Sequence, residues 1–157
     1  MIGDMSKFAV DGTFDLIFLV FNTIFNLQSQ EEQIQCFVNV SKHLRSGGIF
    51  LVAAFVPDFN SFQNNQRVGL RQMARDSVWL DTCQHDPVQQ LLEFQRVRVT
   101  EEGLRLVPLR LRYIWPAEMD LMARMAGLTP KEKWGGWDKS PFDANSEMHV
   151  SIYEMTN

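Results

Sequence analysis

Two runs, one nearly and one wholly apolar, with an amphipathic segment between them constrain this chain more than any other feature. Phe14 to Phe21 reads FDLIFLVF and stops at Asn22, and Ile49 to Val56 reads IFLVAAFV and stops at Pro57. Neither run has helical spacing, and neither alternates as a strand with one wet face does. Each therefore reads as a strand covered on both faces, the habit of parallel sheets, with the first placed centrally. Between them, Ser29-Gln-Glu-Glu32 is a capping box that opens a helix over about 31–46, with Ile34, Phe37, Val38 and Leu44 on one side. Gly47-Gly48 supplies its left-handed stop. Strand, helix, strand makes a parallel βαβ unit, whose crossover is right-handed.

The middle third changes period. Val78 to Cys83, Leu91 to Thr100 and Leu104 to Trp115 alternate, which predicts a small antiparallel meander within an inserted region, 58–115, that starts with a polar surface connection or lid. Pro108 cannot donate a ladder hydrogen bond, so its strand belongs at an edge or a bulge. Alternation sets Leu109, Leu111, Tyr113 and Trp115 against Arg110 and Arg112, which read as a solvated face. Pro116 opens a second helix with Met119, Leu121, Met122 and Met125 as its apolar side, and Gly127 closes it. Strands near 128–134 and 148–155 then form a closing antiparallel hairpin.

Composition narrows the function classes. At 157 residues the chain fits one domain, 1–157, with a real core. A formal net charge of −4 and scattered cations give no basic stripe for nucleic acid. Cys36 and Cys83 lack metal-ligand spacing and suit a reducing cytoplasm. The longest apolar run falls far short of the ~20 residues of a membrane helix, so no membrane partner is expected.

In order and spacing these pieces resemble the class I S-adenosylmethionine-dependent methyltransferases of small-molecule type, common in bacterial secondary metabolism. GDMSKF is similar to the turn after that family's third strand, FDLIFLVFNTIFNL to its fourth strand and following loop, and EEQIQCFVNVSKHLRSGGIFLVAAF to the next helix and strand. RYIWPAEMDLMARMAGL, KEKWGGWDKSPF and MHVSIYEM resemble its last helix and final antiparallel pair. The resemblance implies the C-terminal half of a Rossmann-like sheet that carries the inserted meander. It also implies truncation: the 157 residues hold no strand followed by a glycine-rich turn and helix, and Met1 sits where such a fold is already under way.

From the same resemblance, S-adenosylmethionine is the cofactor, bound weakly or not at all by this chain alone. Asp4 would accept from the adenine amino group, with the Met5 amide facing the ring; alternatively Asp4 is a turn residue capping its own backbone. Asn22 and Thr23 would line the methionine end, unless Asn22 only terminates a strand. With the first three strands absent, the fourth becomes an edge, and its apolar residues predict a homodimer through Phe14 to Phe25.

The residues themselves offer His85-Asp86 as a candidate general base with its orienting carboxylate. Tyr113, Trp115, Trp134 and Trp137 could wall an apolar substrate pocket or simply fill a core. Methyl transfer to a small organic acceptor is the first expectation. A methyltransferase-fold protein that binds, cyclises or isomerises without methylating, or a module that completes another chain's sheet, is the alternative.

Overall fold

The computed structural model describes residues 3–156, so the expectation about Met1 lies outside the described residues. In chain order the strands are β1 (Phe14–Leu19), β2 (Leu44–Phe55), β3 (Gln66–Met73), β4 (Ser77–Asp86), β5 (Leu91–Thr100), β6 (Gly103–Arg112), β7 (Leu128–Trp134) and β8 (Met148–Met155). The α-helices are α1 (Gln30–His43) and α2 (Pro116–Met125). They form two compact units: one runs to Pro57 and resumes at Ile114, and the other is Asp58–Tyr113.

The first unit is a sheet in the order β1-β2-β8-β7. β1 and β2 are parallel and the other two pairs antiparallel, so a Rossmann-like parallel unit is closed by a hairpin, as the sequence predicts. Its helix-covered face is built from an aromatic cluster. Phe37 of α1 meets Phe50 of β2 at 5.2 Å and Tyr153 of β8 at 5.8 Å, both edge-on. All three rings are fully buried. Burying side chains of this size contributes roughly 1.5–3 kcal/mol each, which makes them the main hold of helix on sheet.

The opposite face is thinly covered. Register places Leu16 beside Ile49 and Phe18 beside Leu51, and Phe14, Leu16 and Phe18 stay 41%, 53% and 59% exposed. β1 is therefore not a central strand covered on both faces. It is the sheet's edge, with β2 its sole strand neighbour among the described residues.

Other expectations are corrected locally. α1 ends at His43 and not near 46, because Leu44 turns to extended backbone (φ −88°, ψ 143°) and joins β2. Leu44 thus leaves the helical face assigned to it. Gly47 is left-handed (φ 73°) within a register shift between β1 and β2. At Gly48 a side chain would sit 2.8 Å from the Arg45 carbonyl oxygen and 3.0 Å from that of Phe14, so only glycine admits this close approach. β1 is shorter than expected because Phe21 and Asn22 both take left-handed backbone (φ 56° and 61°). On α2, Met119, Met122 and Ala123 are buried while Leu121 and Met125 are exposed, so the buried stripe is narrower than expected.

The second unit is a four-stranded antiparallel meander, β3-β4-β5-β6. β3 is the strand the sequence does not announce, since Gln66, Gly69 and Gln72 interrupt its alternation. Pro108 lies on β6, an edge strand, where its missing N–H costs nothing. Arg112 is buried, not solvated, and its guanidinium donates to Gln90 Oε1 at 3.1 Å. Arg110 is exposed and pairs with Glu93 at 3.3 Å.

Candidate functional site

β1 and β2 run in parallel and end side by side, and the carboxyl end of parallel strands is where open α/β sheets place ligands. Asn22 ties the two ends together. Its backbone N–H donates to the Ala53 carbonyl at 3.2 Å, and its side-chain Oδ1 accepts from the Phe55 N–H at 2.7 Å. Asn tolerates the left-handed region because its short amide bonds locally, whereas the adjacent Phe21 has no such relief. Phe21 is also 89% exposed. Two consecutive left-handed residues store backbone strain at this strand end, a feature that gathers at functional sites. Thr23 donates its hydroxyl to the Val20 carbonyl and opens a short 3-10 turn that buries Ile24 and Phe25. The Asn22 side-chain nitrogen keeps both N–H donors uncommitted among the described residues. The sequence marks Asn22 as a strand terminator but gives no sign of the strained Phe21 beside it.

Asp4 stands in the turn before β1. Its Oδ1 accepts from both the N–H and the hydroxyl of Ser6, at 2.9 and 2.8 Å, which is the turn-capping arrangement. These bonds hold its carboxyl below the usual carboxylate range, the Ser6 N–H most of all. Its Oδ2 lies 3.9 Å from the Lys7 ammonium and keeps lone pairs for a donor. Asp4 is thus an ionised acceptor at neutral pH, the form an exocyclic amine requires.

Within the meander unit, His85 is buried and its Nε2 hydrogen-bonds the Tyr113 hydroxyl at 3.0 Å. Phe59 stacks on the imidazole with 3.9 Å between centroids and 10° between planes. Burial lowers the His85 pKa, with Asp86 opposing in part, so the ring is neutral near pH 7. In the expected dyad the two side chains take different hydrogen-bond partners. Neighbouring strand residues point to opposite faces, and Asp86 spends its carboxylate on a turn: Oδ1 accepts from the Val88 and Gln89 N–H groups at 2.9 and 3.0 Å, and Oδ2 from the Gln89 side chain at 2.8 Å. Tyr113, which the sequence offers as a pocket wall, is the residue that holds His85. A cavity of about 160 Å³ opens beside His85, Asp86 and Gln89.

Trp115, Trp134 and Trp137 belong to the other unit. Trp115 and Trp137 are 42% and 57% exposed. Trp134 donates its indole N–H to Glu132 at 3.0 Å and lies 4.5 Å beneath the Lys139 ammonium. His43 and His149 have structural roles, bonded to the Asn39 carbonyl and the Ser151 hydroxyl, each at 2.8 Å. Both cysteines are buried, and burial pushes the Cys36 and Cys83 thiols up to about 12 and about 11, so neither is a nucleophile near neutrality. Among the described residues no metal-binding cluster occurs, and no helix is long and apolar enough to cross a membrane.

No protein-family model matches the chain. A curated relative, the cypemycin N-terminal methyltransferase of a Streptomyces species, is 29% identical over 156 residues, 97% of this chain and 62% of that protein. Among solved structures, the CcbJ methyltransferase of Streptomyces caelestis superposes with a TM-score of 0.93 at 35% identity, over 99% of this chain and 63% of that one. An amino pentose methyltransferase of Micromonospora echinaspora, solved with S-adenosylmethionine bound, matches with a TM-score of 0.71 at 16% identity, over 98% of this chain and 63% of its own. This chain therefore spans a little over three fifths of the length of the proteins it matches. It has the Rossmann-like fold of the class I S-adenosylmethionine-dependent methyltransferases, over the part that holds the last parallel strands, the closing hairpin and an inserted meander.

Proposed function

We propose that this chain is the cofactor-adjoining and acceptor-adjoining portion of a small-molecule methyltransferase, and that it works together with polypeptide supplying the first strands of the sheet. The observation that carries the reading is the Asn22 clamp at the carboxyl ends of β1 and β2, with its strained neighbour and its unspent amide donors. S-adenosylmethionine, when bound, supplies an electrophilic methyl group. In this reading Asp4 accepts from the adenine amine, the Met5 N–H faces the ring, and Asn22 and Thr23 position the methionine end. The bare edge of β1 and its exposed Phe14, Leu16 and Phe18 support the need for added polypeptide, because an unpaired apolar edge is seldom left open in a soluble fold.

An amine is the acceptor we favour. Two of the similar proteins are named for amino-bearing acceptors, an N terminus and an amino pentose. Methyl transfer rests mainly on alignment of the acceptor with the methyl group, and one proton must leave the nitrogen. His85, neutral and fixed by Tyr113, is the group we assign to receive it; Asp86 contributes only its field. The aromatic surfaces of Trp115, Trp134 and Trp137 remain the candidate acceptor contacts of their unit, and the cytoplasm the compartment such chemistry suits.

The test is reconstitution. The chain is mixed or fused with the preceding strands of a similar methyltransferase and assayed for transfer of labelled methyl to amine acceptors. Activity that falls at least tenfold in Asn22→Ala and in His85→Gln supports the assignment. Full activity in both variants removes it.

A further inference from the structure

The meander, taken by itself, has two unlike faces. Ladder register sets Trp79, Asp81, Arg96, Arg98 and Arg105 on one of them, where Asp81 and Trp79 engage three arginines. Arg71 meets Asp81 at 2.9 Å, Arg96 meets its other oxygen at 3.5 Å, and the Arg98 guanidinium lies 5.4 Å over the Trp79 ring. The same stretch of ladder carries no charge on the opposite face. One rung there is Leu70, Leu80, Val97 and Leu106; the next is Met73, Val78, Val99 and Leu104. Period-two alternation has written a core face onto this sheet, yet it is open. Val68 and Met73 are each 72% exposed, Leu70 and Leu104 each 62%, Leu106 54% and Val99 40%.

These six side chains present on the order of 600 Å² of apolar surface, at or beyond the largest patch a soluble monomer usually shows. We propose that this face is a docking surface for a second copy of the chain, two meanders packing face to face about a two-fold axis. Burying the patch on both copies removes on the order of 1,200 Å², which enters the range of stable protein interfaces. The composition fits this occupant. The two outer rungs are wholly aliphatic, and polar groups enter only with the third, Val68, Thr82, Gln95 and Pro108. That rung and the next, Gln66, Gln84, Glu93 and Arg110 with the Glu93–Arg110 pair, form the border, so an apolar centre meets a polar rim. Flat aliphatic sheet faces complement themselves, and isologous pairs are the commonest homo-oligomers. The Phe14–Phe25 edge, where sequence alone placed the dimer, offers an unpaired strand that calls for another strand and is assigned above to added polypeptide. The inference stands apart from the methyl-transfer reading.

Sedimentation of the full chain tests it. Twice the chain mass of 18.2 kDa is expected at concentrations of about 10–50 μM, where standard-size interfaces are populated. Leu70→Glu and Leu106→Lys should each raise the dissociation constant at least about a hundredfold, and Phe18→Lys should leave it in place. A measurement without substitution guards against misfolded variants: the Leu70 and Leu106 methyl groups should be shielded from a soluble paramagnetic probe. A monomer at these concentrations, methyl groups fully open to the probe, or a dimer that survives both meander variants and dissolves in Phe18→Lys overturns the proposal.

Discussion

Acid should weaken the first unit through one buried histidine, and the size of the effect can be worked from its surroundings. His149 lies on β8 with no exposed surface. Its Nδ1 bonds Ser151 Oγ at 2.8 Å, and its Nε2 is buried without a partner among the described residues. Nearby, Lys133 and Asp120 form a 2.7 Å ion pair, and the Tyr153 hydroxyl donates to the other Asp120 oxygen at 2.9 Å. Burial, then the Lys133 cation, disfavour an imidazolium, while Asp120 opposes them; the His149 pKa is held down at about 4, well below the ordinary imidazole value near 6.5. In the unfolded chain the ring takes a proton near pH 6.5, and in the native state only near 4. Between these values the unfolded state binds more protons, so the stability this histidine confers is whole above about 6.5 and is lost as pH falls toward 4. The loss approaches about 3 kcal/mol at the lower limit, a large share of the roughly 5–15 kcal/mol of a whole domain. Urea unfolding at a series of pH values should show this slope. His149→Leu should flatten it by about one proton, even though leaving Ser151 unpartnered lowers stability at every pH. Equal pH slopes for the two proteins would refute the reasoning and show that water reaches the ring.

Asn22→Ala removes the acceptor of the Phe55 N–H and leaves a left-handed alanine, so urea unfolding should register a loss of about 1–3 kcal/mol. Gly48→Ala forces a methyl against the Arg45 and Phe14 carbonyls; it should cost about 1–3 kcal/mol and loosen the β1 amides in hydrogen exchange, whereas protection equal to the parent would show that the strands can part freely. Asp4→Ala should lower affinity for adenosyl ligands while the melting transition is kept, and loss of that transition would make Asp4 a structural cap alone. Removing the hydroxyl with Tyr113→Phe should shift the pH profile of the reconstituted enzyme through His85, and an unmoved profile would place His85 outside proton transfer.

Hydrophobic period and turn chemistry carry most of the fold. β7 and β8 fall on their sequence-read bounds because Gly127 and a glycine- and proline-rich connection punctuate them. What failed to show was set by tertiary neighbours. Leu44 has the spacing of a helix residue, yet it leaves α1 because β2 starts early. Phe21 reads as strand, yet it turns left-handed where the clamp to β2 begins. Arg112 alternates like a surface residue, yet Gln90 accepts from its guanidinium inside. In the candidate site, residue types were visible but pairings were not. Sequence adjacency suggested Asp86 for His85, while strand geometry sends the carboxylate to a turn and brings Tyr113 from 28 positions away.

Titration of isotope-labelled chain with S-adenosylhomocysteine, followed by amide shifts in nuclear magnetic resonance, tests the central claim most directly. The account predicts weak saturable binding, in about the millimolar range, with shifts centred on the amides of Met5, Ser6, Asn22 and Thr23. Shifts that avoid those residues, or tight binding centred on the meander, would contradict it.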